Sequence, residues 1–203
     1  MATVVQIDPD SPSPELIEEA AQVIRGKGVI VYPTETLYGL GADPLYPEAM
    51  KRIYEIKARE AAKPIPFLIK DQQMLETLVE EVPFIARELM ERYWPGPLTL
   101  IFRARQGLPP PLRGENNTIG LRISAHPIAR RIVEALDAPL TSTSANPAGE
   151  GDFIDCERIA QLFKDQVDLI IDSGKVPGTG STVVDITVSP PRIVRQGMIS
   201  IGI

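Results

Sequence analysis

Four short stretches of the sequence concentrate groups suited to binding oxygen-rich anions. The first, Pro33-Thr34-Glu35-Thr36-Leu37-Tyr38-Gly39-Leu40-Gly41, directly follows the β-prone run Val29–Tyr32. Its hydroxyls, carboxylate and phenol are held between Pro and Gly in a stiff turn that can donate and accept hydrogen bonds. Such turns at strand ends are common ligand sites in α/β proteins. An ordinary Pro- and Gly-bounded turn, with Glu35 capping a neighbouring element, accounts for the same residues. The second stretch is Lys57-Ala58-Arg59, with Lys63-Pro64 close behind, where a helix should end. Cations there either complement the negative end of the helix or clamp a polyphosphate, Arg by bidentate contacts and Lys as a point charge. No Gly-rich loop ending in Lys-Ser/Thr is present, so a nucleotide would have to be held by side chains.

The third stretch is Asn117-Thr118-Ile119-Gly120-Leu121-Arg122, which puts Arg122 between Leu121 and Ile123 in a strand. A charge so placed either lies on an exposed strand face or needs a partner and a polar cavity, where it would receive a small carboxylate. His126, ahead of Pro127, reads as a helix start. The fourth stretch, Thr141-Ser142-Thr143-Ser144-Ala145-Asn146-Pro147-Ala148-Gly149, is either a capping loop or a set of donors for phosphate and sugar oxygens. Gly180-Ser181-Thr182 repeats the hydroxyl theme, and Arg195 closes the last strand. Together these residues describe a pocket rich in cations and hydroxyls and poor in general bases.

The elements that must position them are legible from periodicity and punctuation. Helices are expected over Pro14–Arg25, with Ser13 as N-cap and Pro14 at the first turn, and over Pro47–Lys57, Pro83–Tyr93, Pro127–Leu136 and about Asp155–Phe163. Strands are expected at Val29–Tyr32, Ile65–Ile69, Leu98–Phe102, Thr118–Ile123, Leu140–Thr143, Asp168–Asp172, Thr182–Ile186 and Ile193–Arg195. Trp94-Pro95-Gly96-Pro97 forms a rigid corner, and Gln106–Asn117 with its three prolines a loop. Helices and strands alternate irregularly and the last strands follow one another directly, which points to a mixed α/β sheet.

Composition narrows the chemistry. The 203 residues suffice for one full core, so a single domain over 1–203 is the expectation. One cysteine, Cys156, and one histidine, His126, disfavour disulfide, zinc and most Ser–His or Cys–His mechanisms. The longest apolar runs fall far short of a bilayer span and no signal-peptide pattern opens the sequence, so a cytoplasmic protein without membrane contact is expected. A net charge of −6 and an aromatic content of 5 % count against a nucleic-acid coat or a base-stacking surface, although a local basic cleft is compatible with both.

The ordered set Val31–Leu40, Lys57-x-Arg59, Trp94-Pro95-Gly96-Pro97-Leu98-Thr99, Gly120-Leu121-Arg122, Ser144-Ala145-Asn146, Ser181–Asp185 and Arg195-x-Gly197 resembles the YrdC-like family over about residues 15–197. Within it, the closest likeness is to the threonylcarbamoyl-AMP synthase branch in its single-domain form. The resemblance implies a twisted mixed sheet with flanking helices and a large, open, electropositive cavity. The implied reaction condenses L-threonine, bicarbonate and ATP into threonylcarbamoyl-AMP and pyrophosphate, for t6A modification of tRNA by partner proteins. It implies a Lys57, Arg59, Ser144 and Asn146 tetrad; ATP contacts from Arg59, Lys63, Thr118, Ser144 and Arg195; and threonine contacts from Thr36, Arg122, Ser142 and Ser181. Mg²⁺ would arrive with ATP, with no tightly bound organic cofactor and no protein metal site, and tRNA binding would at most be weak. Some members carry a histidine where this chain has Phe67 and Leu68, so the amino-acid pocket is expected to differ in detail. The alternative is a YciO-type paralogue with a nucleotide- or RNA-binding role and little synthase activity; such relatives tend to lack the complete tetrad.

Overall fold

A computed structural model describes residues 1–57, 65–146 and 154–202. In chain order the elements are β1 (Thr3–Gln6), α1 (Pro14–Arg25), β2 (Ile30–Tyr32), β3 (Gly39–Gly41), α2 (Pro47–Ile56), β4 (Phe67–Leu68), α3 (Gln72–Leu78) and α4 (Phe84–Tyr93). They continue with β5 (Leu98–Arg103), β6 (Thr118–Arg122), α5 (Pro127–Leu136), β7 (Leu140–Thr141), β8 (Thr143–Ser144), α6 (Cys156–Phe163), β9 (Leu169–Asp172), β10 (Thr182–Asp185) and β11 (Arg192–Arg195). The strands form two mixed sheets, ordered β1-β9-β2-β3-β8 and β11-β10-β5-β6-β4-β7. The mixed α/β class expected from the sequence is observed, with its strands shared between two sheets. The expected strand over 140–143 is divided: Leu140 and Thr141 pair with β4 in the second sheet, while Thr143 and Ser144 pair with β3 in the first.

The two sheets differ in what their faces meet. In the first, β2 and β9 send Ile30, Tyr32, Leu169 and Ile171 into one apolar cluster with α1 and α5. Their alternate residues Val31 and Ile170 enter another with α2 and α6. With both faces covered, these strands read as unbroken apolar runs. In the second sheet β4 and β7 also send Leu68 and Leu140 into the cluster of α1 and α5, but β5, β6 and β10 turn only one face to a core. Leu98, Leu100 and Phe102 of β5 join Ile119 and Leu121 of β6 and Val184 of β10 in a third cluster with α3 and α4. The residues between them, among them Thr99, Ile101, Thr118, Gly120 and Arg122, look the other way, because successive strand side chains alternate in direction.

Local chemistry explains most boundaries. Ser13 caps α1 by accepting from the Leu16 amide, Asp71 caps α3 from Met74 and Asp155 caps α6 from Arg158. The buried stripe of α1 is Ile17, Ala20, Ala21 and Ile24; of the face Leu16, Ala20, Val23 and Ile24 that periodicity suggests, Ala20 and Ile24 are buried and Leu16 and Val23 half-buried. Three elements are absent from the sequence-based expectation. Edge strand β1 lacks buried alternation, α3 is only seven residues long, and Gly39–Gly41 looks like a turn although it pairs antiparallel with β2. The glycines of β3 have a packing reason. A Cβ on Gly41 would lie 2.8 Å from Tyr32 Cε1 and 3.0 Å from Ile30 Cγ1. The Tyr32 ring, wholly buried, occupies that space, and its hydroxyl donates to the Thr141 carbonyl at 2.9 Å.

Gly41→Ala should therefore overpack this site. Urea unfolding is expected to show a loss of about 1–3 kcal/mol with an unchanged denaturant slope.

Candidate functional site

The uncovered face of the second sheet looks onto a cleft of about 340 Å³, whose opposite wall comes from Gly39 of β3, Ser144 of β8 and the loop after β2. That volume falls within the range of small-molecule sites. Arg122, at the inner end of β6, is 4 % exposed and organises this end of the cleft. Its Nε donates to the Gly96 carbonyl at 3.1 Å and its Nη1 to Thr36 Oγ1 at 3.1 Å. Its Nη2 lies 2.7 Å from Glu35 Oε1, an ion pair whose angle falls outside hydrogen-bond geometry. Three partners remote in sequence thus fix one guanidinium.

Each partner is itself held. Thr36 Oγ1 lies 2.8 Å from Thr34 Oγ1, which donates to the Leu37 carbonyl at 2.6 Å and accepts from the Leu37 amide at 3.1 Å, so the turn is locked by its own hydroxyl. The Gly96 amide donates to the Ile123 carbonyl at 2.8 Å. A Cβ there would sit 2.4 Å from the Tyr93 carbonyl oxygen, so glycine lets the chain turn tightly after α4 and present its carbonyl to Arg122. Glu35 accepts from the Ser124 hydroxyl and from the Ala125 amide at 3.0 Å. Glu35 thus caps the segment before α5, as the capping reading has it, and also pairs with Arg122, which that reading does not include. Burial pushes its carboxyl upward, but the charge of Arg122 and the hydrogen bonds from Ser124 and Ala125 hold it below the ordinary 4.5. Burial lowers the His126 imidazole against the opposing charge of Glu35.

A second constellation stands at the end of α2. Lys57 is the helix C-cap and is 5 % exposed. Its Nζ donates to the carbonyls of Ser144 (2.8 Å) and Asn146 (2.5 Å) and to Asn146 Oδ1 (2.7 Å), which also accepts from Ser144 Oγ at 2.6 Å. An ammonium has three protons to give. Lys57 therefore pins the 144–146 corner and places a positive charge beneath it. The third constellation joins β10 to β11. Arg195 Nη2 donates to the Ser181 carbonyl at 2.9 Å and to Ser181 Oγ at 3.1 Å, while Thr99 Oγ1 lies 2.8 Å from that Oγ.

Most of the expected site residues meet here. Thr36, Arg122, Ser142 and Ser181 line the cleft, and so do Thr118, Ser144, Arg195 and Lys57. Asn146 is tied to them through Lys57 and Ser144. Arg59 and Lys63 lie outside the described residues. Among the described lining residues are three cations, Lys57, Arg122 and Arg195, and no carboxylate. Phe67 and Leu68 are 2 % and 1 % exposed and belong to apolar clusters, so the departure noted there falls in the core. Among the described residues no cluster of three or more His, Cys, Asp or Glu side chains could hold a metal ion. No described helix is long and apolar enough to cross a membrane. Thr99 and Gly96 do not emerge as site residues from residue type, because one is a lone hydroxyl in an apolar run and the other acts through its backbone. The alternation Leu98-Thr99-Leu100 is the signal that points Thr99 into the cleft.

The family model Sua5_yciO_yrdC, described as "Telomere recombination", matches residues 22–197. The chain belongs to this family. It is 39 % identical over 189 residues to the threonylcarbamoyl-AMP synthase of Pyrococcus abyssi, covering 90 % of this chain and 56 % of that protein. It is 36 % identical over 181 residues to the Pseudomonas syringae family member named threonylcarbamoyl-AMP synthase, covering 89 % and 97 %. The Escherichia coli member YciO, an uncharacterized protein, is 36 % identical over 202 residues, covering 98 % and 97 %. The crystal structure of P. abyssi Sua5 complexed with L-threonine superimposes with a TM-score of 0.91 at 36 % identity, over 97 % of this chain and 58 % of that one. E. coli YciO superimposes at 0.90, over 97 % and 96 %. The chain thus spans little more than half the length of the Pyrococcus relative and nearly all of the other two.

Because the folded carboxyl of Glu35 titrates below its ordinary value, its contribution to stability is complete above pH 4.5 and is lost as pH falls through the lower folded value. Glu35→Gln should flatten the stability–pH slope in that acidic window, read from denaturant midpoints. It should also destabilise the protein at neutral pH by leaving Arg122 unpaired.

Proposed function

We propose that this chain is an L-threonylcarbamoyladenylate synthase, an ATP-using transferase of the t6A tRNA-modification route. The observation that carries the reading is the convergence of three fixed cationic and hydroxyl constellations on one cleft with no carboxylate among its described lining residues. The chain is also similar, over nearly the full length of the Pseudomonas protein, to a relative bearing that name.

The chemistry needs what the cleft offers. Threonine's amine attacks the carbon of CO₂ and loses a proton, or attacks that of bicarbonate, whose C–O bond breaks to release water; either route gives a carbamate. The carbamate oxygen then attacks the α-phosphorus of ATP, the bond to the bridging oxygen of the β-phosphate breaks, and pyrophosphate leaves. Both steps bring anions together, so positioned donors and positive charge lower the barrier by offsetting repulsion and holding the reactants in line. Arg122, held rigid by Gly96, Glu35 and Thr36, receives the amino-acid carboxylate, with Thr36, Ser142 and Ser181 as neighbouring hydroxyls. Ser144 and Asn146, set by Lys57, hydrogen-bond the nucleotide, with Thr118 and Arg195 further along the cleft and Arg59 and Lys63 as further phosphate ligands. Mg²⁺ belongs to the substrate and travels on the phosphates; the protein side supplies hydroxyls and cations around it. The adenylate passes to partner proteins in the cytoplasm, and tRNA contact by this chain is weak.

The YciO-type reading shares the fold; the Lys57–Ser144–Asn146 lock favours the synthase. Mass spectrometry of incubations with ATP, bicarbonate and L-threonine, each omitted in turn, should detect threonylcarbamoyl-AMP only in the complete mixture. Its absence there would favour the alternative. Asn146→Ala should slow threonine-dependent pyrophosphate release by about a hundredfold, the scale of losing one fixed donor at a reacting phosphate.

A further inference from the structure

The resemblance assigns Ser181 to the amino acid and Arg195 to the nucleotide, yet the two side chains touch. Arg195 has only donors to give, so its 3.1 Å contact takes one lone pair of Ser181 Oγ. On the other side, Thr99 Oγ1 stands 2.8 Å from the same oxygen, and either hydroxyl of that pair can donate. Thr99 is 2 % and Ser181 5 % exposed, and both line the cleft. When Thr99 donates, both lone pairs of Ser181 are occupied and its single proton has only the cleft to point to.

The backbone behind Ser181 cannot retreat. The Met198 amide donates to the Gly180 carbonyl at 2.9 Å, and the Gly197 amide donates to Thr182 Oγ1 at 3.0 Å. A Cβ on Gly197 would lie 2.3 Å from the Gly180 carbonyl oxygen and 2.4 Å from the Ser181 carbonyl carbon, so the C-terminal segment is pressed flat against residues 180–181.

We propose that Thr99 is a positioning residue that turns Ser181 into a donor to an anionic oxygen, a carboxylate or a phosphate oxygen, bound beside Arg195. The adjacent guanidinium favours the same charge, and an ammonium, with no lone pair to accept the Ser181 proton, is rejected at this point. This inference rests on the reading that the cleft takes ATP and threonine, each of which carries such oxygens. It makes Ser181 the place where the two substrate subsites meet.

The test compares Thr99→Val, which keeps the shape and removes the hydroxyl, with Thr99→Ser, which keeps the hydroxyl. Thr99→Ala serves if the valine variant does not fold by thermal melting. Binding of ATP and of L-threonine is measured separately by calorimetry, alongside KM and kcat. Thr99→Val should weaken one of the two ligands about tenfold, the scale of a hydrogen bond to a charged group, with Thr99→Ser close to wild type and kcat largely kept. Weaker threonine binding identifies the carboxylate as the acceptor, and weaker ATP binding a phosphate oxygen. Wild-type affinities in Thr99→Val, or an equal loss in Thr99→Ser, overturn the inference while leaving an active wild-type enzyme and the functional reading intact. A wild-type protein that binds neither ligand overturns both.

Discussion

One buried charge governs the architecture of the cleft. A guanidinium 4 % exposed to solvent is tolerable only when its protons and charge find fixed partners, and Arg122 obtains acceptors from the corner after α4 and the turn after β2 and a counter-charge from Glu35. Removing one member of such a buried pair typically costs about 3–5 kcal/mol, because the other is left without compensation. The Pro- and Gly-bounded turn, the Trp94–Pro97 corner and the strand carrying Arg122 therefore behave as one unit. Two motifs that look independent along the chain are brackets for the same side chain.

The division of labour between the sheets follows. In the first sheet the central strands β2 and β9 are buried on both faces and supply stiffness; in the second, β5, β6 and β10 turn one face to an apolar core, and their other face carries hydroxyls, a glycine and charges. β5 and β6 pair antiparallel, with Leu100 opposite Leu121 and Ile101 opposite Gly120, so the polar positions of one strand align with those of the next. Register thus delivers Thr99, Gly120 and Arg122 to the same side without any loop having to place them. Lys57 and the 144–146 corner close the cleft from the opposite wall.

How much of this the sequence discloses depends on the kind of signal. Helices opened by a proline and carrying a strong apolar stripe, such as Pro14–Arg25 and Pro127–Leu136, are legible to the residue in their bounds. Arg122 is legible as an anomaly, since a charge inside an apolar strand demands a reason. What escapes is tertiary. Gly39–Gly41 pairs as a strand because Tyr32 fills the space that side chains would take, and the run at 140–144 serves two sheets; neither can be read from local pattern. The destination of the Lys57 ammonium is equally hidden, because its acceptors are mostly backbone carbonyls 87 and 89 residues away. Residue type announces a cation; only the fold says what it holds.

The most direct measurement is a crystal structure of the protein with L-threonine and a non-hydrolysable ATP analogue. The account predicts both ligands in the single cleft between the sheets, the amino-acid carboxylate on Arg122 and the phosphates toward the Ser144–Asn146 corner and Arg195. Either ligand bound on another face, or a threonine carboxylate that leaves Arg122 untouched, would contradict it.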